Sequence, residues 1–450
     1  MRSRIKQNQA FLNHLKKIPL SAEDVDCIFS TKAFKTELLT LIEGAKKRIY
    51  LAALYLESDA AGKEILMALY KAKQNNPALD IAICIDFHRA QRGLIGKNKE
   101  TNTNATWYQE VEKAQISGIK IMGVPVKRKE LFGVQHLKGF VFDEKVIYSG
   151  ASLNNIYLNQ EHKYRLDRYW SIQNRELANS MVTFLKEELI DKSAVIPLNG
   201  ETIPRISTFK VKQRQLVKSL KQASYKFAGQ TLSDRLSVVP LNGLGARKNE
   251  LNRNIRRILR STEKEIVIFT PYFNLPRIIG RDINTLIKRG VKLTIVVGDK
   301  TANDFYIPAD QPFKTIGGLP YLYESNLKRF AEKYKYVLKT GQLNLHLWKD
   351  QDNSFHLKGI YADNRFILLT GHNLNPRAWR LDLENGILID DPKQELKALV
   401  DQELEHILRN TSIITDPNQI ESIDDYPPRA KKLLMRLRRT RADKLVKSLL

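Results

Sequence analysis

Two stretches of the 450-residue chain repeat one pattern, His-x-Lys-x4-Asp. The first copy is His136-Leu137-Lys138-Gly139-Phe140-Val141-Phe142-Asp143, and the second is His356-Leu357-Lys358-Gly359-Ile360-Tyr361-Ala362-Asp363. Each is followed by Gly-x-polar-Leu-Asn: Gly150-Ala151-Ser152-Leu153-Asn154 and Gly371-His372-Asn373-Leu374-Asn375. Both copies lie in apolar runs of strand character, 131–142 and 355–360, where residues two apart share a face. His136 and Lys138 then point one way, as do His356 and Lys358. Asp143 and Asp363 fall an odd number of residues after their histidines, face away, and read as mainly structural. The glycine turns would bring Asn154 with Ser152, and Asn375 with Asn373, beside the two His–Lys pairs.

Folded together, the copies would gather two imidazoles, two ammonium groups and two amides. Ammonium and amide groups suit the non-bridging oxygens of a phosphodiester, whose charge must be stabilised in the transition state. One imidazole can attack phosphorus while the other protonates the leaving oxygen. Each imidazole needs a carboxylate to fix its tautomer. Candidates stand downstream in a second echo, Arg165-Leu166-Asp167 and Arg380-Leu381-Asp382-Leu383-Glu384. With a covalent phospho-histidine and lysine clamps, such chemistry needs no metal or cofactor. A single His-x-Lys is common, but two full copies, each with its Gly and Asn, are hard to explain by packing.

The elements that must hold these residues also come in two sets. The apolar runs 47–55 and 264–272 read as buried strands, each followed by a helical pattern (62–74 and 275–289) and a second buried strand (80–85 and 291–297). Alternating strand and helix predicts α/β layers around a largely parallel sheet, with ligands at the strand C-termini. The polar turns there contain Asp86, His88, Arg89 and Arg92 in one half and residues 299–306 in the other. Arg89 and Arg92 are the better anion contacts, and Phe269, Tyr272, Phe273, Tyr321 and Tyr323 read as core. Pro and Gly crowd residues 192–247, which suggests a connecting segment with a basic helix near 211–227.

Composition bounds the class. There are 74 Lys plus Arg against 49 Asp plus Glu, a net charge of +25. That excess calls for polyanionic partners: an anionic membrane surface, ribosomal or other nucleic acid, or a phosphate-rich substrate. No run approaches the ~18 to 20 apolar residues of a membrane span, and no secretory signal opens the chain. Two cysteines, Cys27 and Cys84, are too few for a disulfide framework or a structural zinc site. These features predict a cytoplasmic protein, peripheral to the inner face of a membrane. The tail from 427 carries nine basic residues, with Leu434, Leu437, Leu445 and Leu449 near one helical face, the pattern of a membrane-surface helix.

The paired motifs resemble the HKD signatures of the phospholipase D superfamily. A closer likeness, to the phospholipase D-type bacterial phosphatidylserine synthases, runs through 53–57, 88–93, 270–276, 298–306 and 373–380 and so covers most of the chain. The resemblance implies two similar α/β lobes related by a pseudo-twofold, each a mixed, largely parallel sheet flanked by helices, with one active site between them. The lobes would span 1–191 and 248–426, joined by 192–247 and followed by the basic helix 427–450. It also implies phosphatidyl transfer from CDP-diacylglycerol to L-serine through a phosphatidyl-histidine. His136 is taken as nucleophile and His356 as acid and base, completed by Lys138, Lys358, Asp143 and Asp363. By family analogy, Asp167 and Glu384 each orient the histidine of the opposite half. Asn154, Asn375, Ser152, Asn373, Arg89 and Arg92 would bind substrate.

One departure stands out: seven positions separate Asp143 from Gly150, but eight separate Asp363 from Gly371, which threatens the placing of Asn375. Cardiolipin synthases, phospholipases D and nucleases use the same motifs, and a basic polyanion-binding protein without transfer chemistry is an alternative of another class. Self-association is left open.

Overall fold

Each half of the chain builds a mixed sheet whose centre is three parallel strands and whose inner hairpin follows the repeated motif. The computed structural model describes residues 2–92, 103–115, 118–160, 163–308, 310–440, 442 and 446. In the first sheet, Ile119–Val124, Asp80–Asp86 and Arg48–Ala52 are parallel. Gly139–Phe142, Lys145–Ser149, Tyr169–Gln173 and Val25–Cys27 extend it antiparallel, and Ile196–Pro197 lies on the far edge. In the second, Leu343–Trp348, Lys292–Gly298 and Glu265–Phe269 are parallel. Gly359–Ala362, Phe366–Thr370, Leu383–Asp390 and Ser237–Leu244 follow antiparallel, as does Thr411–Ile414 on the opposite edge. Within the two large sheets, parallel pairing is confined to the strands joined by helical crossovers, such as Ala60–Asn75 and Arg277–Lys288, because short turns can join only antiparallel neighbours. The crossover helix Ala60–Asn75 starts where Asp59 accepts from the Gly62 amide, and it buries Ala61, Ile65, Leu66 and Leu69 on one face.

The second lobe reaches further than the sequence suggests. Lys16–Pro19 pairs with Ser237–Leu244, and Leu12 of the helix Arg2–Asn13 packs with Leu251, Ile255 and Ile258. Residues 2–19 therefore belong to the second lobe, not to a lobe spanning 1–191. Lys17 is fully buried there and paired with Asp390 at 2.5 Å. Nor is 192–247 a connector. Ile196–Pro197 completes the first sheet, and Ser237–Leu244 is a buried strand paired along its whole length with Leu383–Asp390. Pro240 and Gly243 disguised that strand in the sequence; the basic helix is real but shorter, Lys210–Leu220.

The two Asp residues of the motifs stand at the far ends of the hairpins, away from the histidines. Asp143, at φ 52°, accepts from the amides of Lys46, Lys47 and Arg48. Asp363, at φ 55°, accepts from those of Glu263, Lys264 and Glu265. Each closes the loop before a parallel strand, which corrects their inclusion in a catalytic set. The extra residue of the second copy sits in this same turn, where Asn364 also adopts a left-handed φ of 52°. Beyond it the registers match: Phe140 opposes Ile147, and Ile360 opposes Leu368. Gly371 and Asn375 are therefore not displaced.

In the tail, the helix Pro428–Arg439 buries Ala430 and Leu434 against Tyr321, Leu322 and Tyr426, and Arg438 donates to Ser325 Oγ at 3.0 Å. This part of the apolar face is spent on the protein body, not left open for lipid; Leu445 and Leu449 lie outside the described residues. Among the described residues no helix is long and apolar enough to cross a membrane.

Candidate active site

The two His-x-Lys segments lie just outside the strands in which the sequence placed them. Gly139 and Gly359, with φ of 116° and 140°, begin the strands, and the residues before them run extended into the other lobe. The His136 amide donates to Leu383 O at 2.9 Å, and the His356 amide donates to Leu166 O at 2.8 Å. Arg165–Leu166 and Ser354–Phe355 form a two-stranded parallel ladder across the interface, mirrored by a bridge between Gln135 and Leu383. Alternation survives along these segments: His and Lys face the site, while Leu137 and Leu357 are buried in a core shared by both lobes. Each such leucine contributes roughly 1.5 to 3 kcal/mol on burial.

Because the partner carbonyls belong to Leu166 and Leu383, the next residue on each strand, Asp167 or Glu384, falls beside the opposite histidine. His136 Nδ1 lies 3.0 and 2.9 Å from the two Glu384 oxygens. His356 Nδ1 lies 3.3 Å from Asp167 Oδ2. The two environments then differ. Lys358 Nζ is 2.5 Å from His356 Nδ1 and 3.0 Å from Asp167 Oδ2, and the Tyr157 hydroxyl is 2.8 Å from the same Nδ1. His356 Nδ1 thus has Lys358 and the Tyr157 hydroxyl within reach besides the Asp167 carboxylate, whereas His136 Nδ1 meets carboxylate oxygens alone. His136 Nδ1 faces two carboxylate oxygens almost equally, which puts its proton on Nδ1 and leaves Nε2 bare.

Burial sets the charges. Burial, then Lys138 and Lys358, push the His136 imidazole well below its usual range; burial and Lys358 push His356 down to about 4. Burial and Asp382 push the Glu384 carboxyl well above its usual range. Burial would raise Asp167 too, but Lys358 and His356 outweigh it and bring the carboxyl down to about 2. Burial and the neighbouring Lys358 lower Lys138 to about 7.

The remaining expected residues divide. Ser152 Oγ holds Lys138 Nζ at 3.1 Å, with Ala151 O at 3.2 Å. Asn373 does not mirror it: its carbonyl accepts from Thr270, and its buried Oδ1 has no partner among the described residues. Asn154 and Asn375 stand in equivalent places, and the oxygen of each accepts an amide three residues on, from Tyr157 and Ala378. Only their Nδ2 groups remain to serve a phosphate. Arg89 is paired with Glu57 at 3.4 Å and lies over the Tyr55 ring; Arg92 is paired with both Glu130 oxygens at 2.5 and 2.6 Å. They are bound to carboxylates of the first lobe, not aimed as free anion contacts. His88 bonds the Lys127 carbonyl, and buried Cys84 has its thiol raised to about 12.

Sequence reasoning missed several groups. Asn385 grips the Lys138 backbone with both ends of its amide, each at 2.8 Å. Its signal was adjacency to Glu384. Tyr157, three residues past Asn154, gave no signal, because its pseudo-twofold mate is Ala378. Tyr272, expected in the core, stands 5.8 Å from the His356 ring. The turn glycines are part of the site. A Cβ on Gly150 would lie 2.7 Å from both Asp167 oxygens and 2.8 Å from Lys358 Nζ, and one on Gly371 would lie 2.8 Å from Lys138 Cγ.

A family model described as "Cardiolipin synthase, PLD-like domain" matches residues 255–408. The CDP-diacylglycerol–serine O-phosphatidyltransferase of Haemophilus influenzae is 49% identical over 100% of this chain and 99% of its own. That of Escherichia coli is 47% identical over 100% of both. The chain belongs to the phosphatidylserine synthase family of the phospholipase D superfamily. The crystal structure of the Haemophilus influenzae phosphatidylserine synthase superposes with a TM-score of 0.96 at 48% identity, covering 99% of this chain and all of that one. The two-lobed architecture is thus shared with a synthase of the family.

Gly150→Ala tests how tightly the turn is built. The added methyl must displace Asp167 or Lys358, and kcat is expected to fall about 100-fold, as misplacements of about 1 Å do, with the fold intact by circular dichroism.

Proposed function

We propose that the chain transfers the phosphatidyl group of CDP-diacylglycerol to the hydroxyl of L-serine, giving phosphatidylserine and CMP. The observation that carries this reading is the full-length likeness, at 49% identity, to an enzyme named for that reaction, joined to a site whose groups suit a phosphoryl centre. The bare Nε2 of His136 attacks the β-phosphorus, and the bond to the CMP oxygen breaks as His356 Nε2–H donates its proton to that oxygen. His356 then takes the proton of the serine hydroxyl, whose oxygen attacks phosphorus and expels His136. The unequal surroundings of the two Nδ1 atoms, a carboxylate alone at His136 and Lys358 and Tyr157 in addition at His356, support His136 as nucleophile and His356 as acid and then base. Lys138, Lys358 and the Nδ2 groups of Asn154 and Asn375 hold the phosphoryl oxygens as charge develops. Asp167 and Glu384 orient the histidines. Peripheral association with an anionic inner membrane face belongs to the same reading, supported by the +25 charge and by the basic residues of Pro428–Arg439.

The test offers the protein CDP-diacylglycerol in detergent micelles with and without L-serine. Serine-dependent CMP and phosphatidylserine are expected, and His136→Ala and His356→Ala should each lose at least ~1,000-fold in kcat. Phosphatidic acid regardless of serine would contradict the transfer. Lys138 adds a pH signature. It is charged below about 7 and neutral above, so kcat/KM for CDP-diacylglycerol, which reports the free enzyme, should fall as pH rises through about 7. Lys138→Arg stays charged and should lack that alkaline limb.

A further inference from the structure

We propose that the polar wall beside His356 is the pocket for the acceptor amino acid, with Asp304 taking its ammonium and Arg165 its carboxylate. The inference rests on the transfer reaction proposed above and names what would select its second substrate. If His356 removes the proton of the acceptor hydroxyl, the acceptor must lie on the His356 side of the site. That side is walled by Tyr272 and Tyr157, whose rings stand 5.8 and 5.9 Å from the imidazole. Behind them sit Arg165 and Asp304, whose side chains are 13% and 17% exposed.

Each of these charges is pinned by a neighbour other than its opposite. The Tyr272 hydroxyl donates to Asp304 Oδ1 at 2.6 Å, and Arg165 Nε donates to Ser354 Oγ at 3.1 Å. Between the two, Arg165 Nη1 and Asp304 Oδ2 stand 3.6 Å apart, too far for a hydrogen bond. A largely desolvated ion pair left this loose is costly to hold, since its attraction repays desolvation only with good geometry. A zwitterion laid across it would give each charge a close partner. The tyrosine faces add an aromatic surface for the ammonium, as Tyr157 already does for the Arg165 guanidinium at 5.1 Å. Asp304 is held below the usual carboxylate range: burial would raise it, but Arg165 and His356 prevail.

Only one half of the site carries these groups. Arg165 precedes the leucine whose carbonyl accepts from His356; the residue preceding the matching leucine in the other half is Asp382, which accepts from the Val134 amide. Tyr157 is matched by Ala378. Asp304 and Tyr272 follow the C-terminal ends of the parallel strands Lys292–Gly298 and Glu265–Phe269, where α/β sheets bind ligands. The pseudo-twofold is thus broken where two unlike substrates must be told apart. Water and glycerol offer neither charge and would leave the Asp304–Arg165 pair as loose as before, a mismatch that discriminates against them.

The experiment measures KM for L-serine and for CDP-diacylglycerol, and inhibition constants for 3-hydroxypropionate, which lacks the ammonium, and ethanolamine, which lacks the carboxylate. Asp304→Asn should raise the serine KM about tenfold to 100-fold, the range of a lost charged hydrogen bond, without raising the constant for 3-hydroxypropionate. Arg165→Gln should raise the serine KM likewise and spare ethanolamine. Should Asp304→Asn fail to fold, Tyr272→Phe, which removes only the hydroxyl holding Oδ1, should shift the same ratios in the same direction. Unchanged serine-to-analogue ratios in variants of a chain that makes phosphatidylserine would overturn the pocket alone. Wild-type protein that releases no CMP with serine would overturn the reaction and the pocket together.

Discussion

The site depends on a reciprocal pair of backbone hydrogen bonds, from the His136 amide to Leu383 O and from the His356 amide to Leu166 O. Each lobe inserts one extended His-x-Lys segment beside a strand of the other. Because these are backbone contacts, they fix register, and register decides which side chain comes next. In one case it is Glu384 and in the other Asp167. The leucines between His and Lys enter a core common to both lobes, so separating the lobes would expose apolar surface and both carboxylates at once.

The second consequence is electrostatic. Lys138 and Lys358 are each about 1% exposed, and Glu384 and Asp167 are buried with them. Such charges are tolerated only when paired and hydrogen-bonded. Asp167 meets this demand by holding both Lys358 and His356, whereas among the described residues Glu384 bonds His136 alone. Lys138 is left with a hydroxyl and a carbonyl, and its affinity for a proton falls. One fold copied twice thus yields two histidines in different protonation environments. Acid–base chemistry needs one imidazole to accept a proton while the other gives one, and here their surroundings already differ.

Much of this was legible in the sequence because the motif occurs twice. Strand, helix and strand at 47–85 and 264–297 followed from apolar runs and periodicity, and Asp143 and Asp363 followed from parity. Pairing of each histidine with a carboxylate of the opposite half came only through family likeness, since no local pattern reveals a contact between residues 248 positions apart. What stayed hidden had specific causes. Gly139 and Gly359 take the motif out of the strand through positive φ, which their neighbours' hydropathy does not signal. Ser237–Leu244 was masked by a Pro and a Gly, and Lys17 by its charge. Arg89 and Arg92 looked like anion contacts because Glu57 and Glu130 lie far from them in sequence. Tyr157 is matched by Ala378, so comparing the two copies could not find it, whereas Asp304 lies in the polar turn 299–306 that its place at a strand end already marked.

The most direct test asks which imidazole becomes covalently loaded. The enzyme is mixed with CDP-diacylglycerol in detergent micelles without serine and denatured at alkaline pH within a single turnover. Mass spectrometry of its peptides then locates the phosphatidyl group. The account predicts phosphatidyl-histidine on the peptide carrying His136, because the Glu384 carboxylate alone faces its Nδ1 while Lys358 and Tyr157 also engage that of His356. The group on His356 would contradict it.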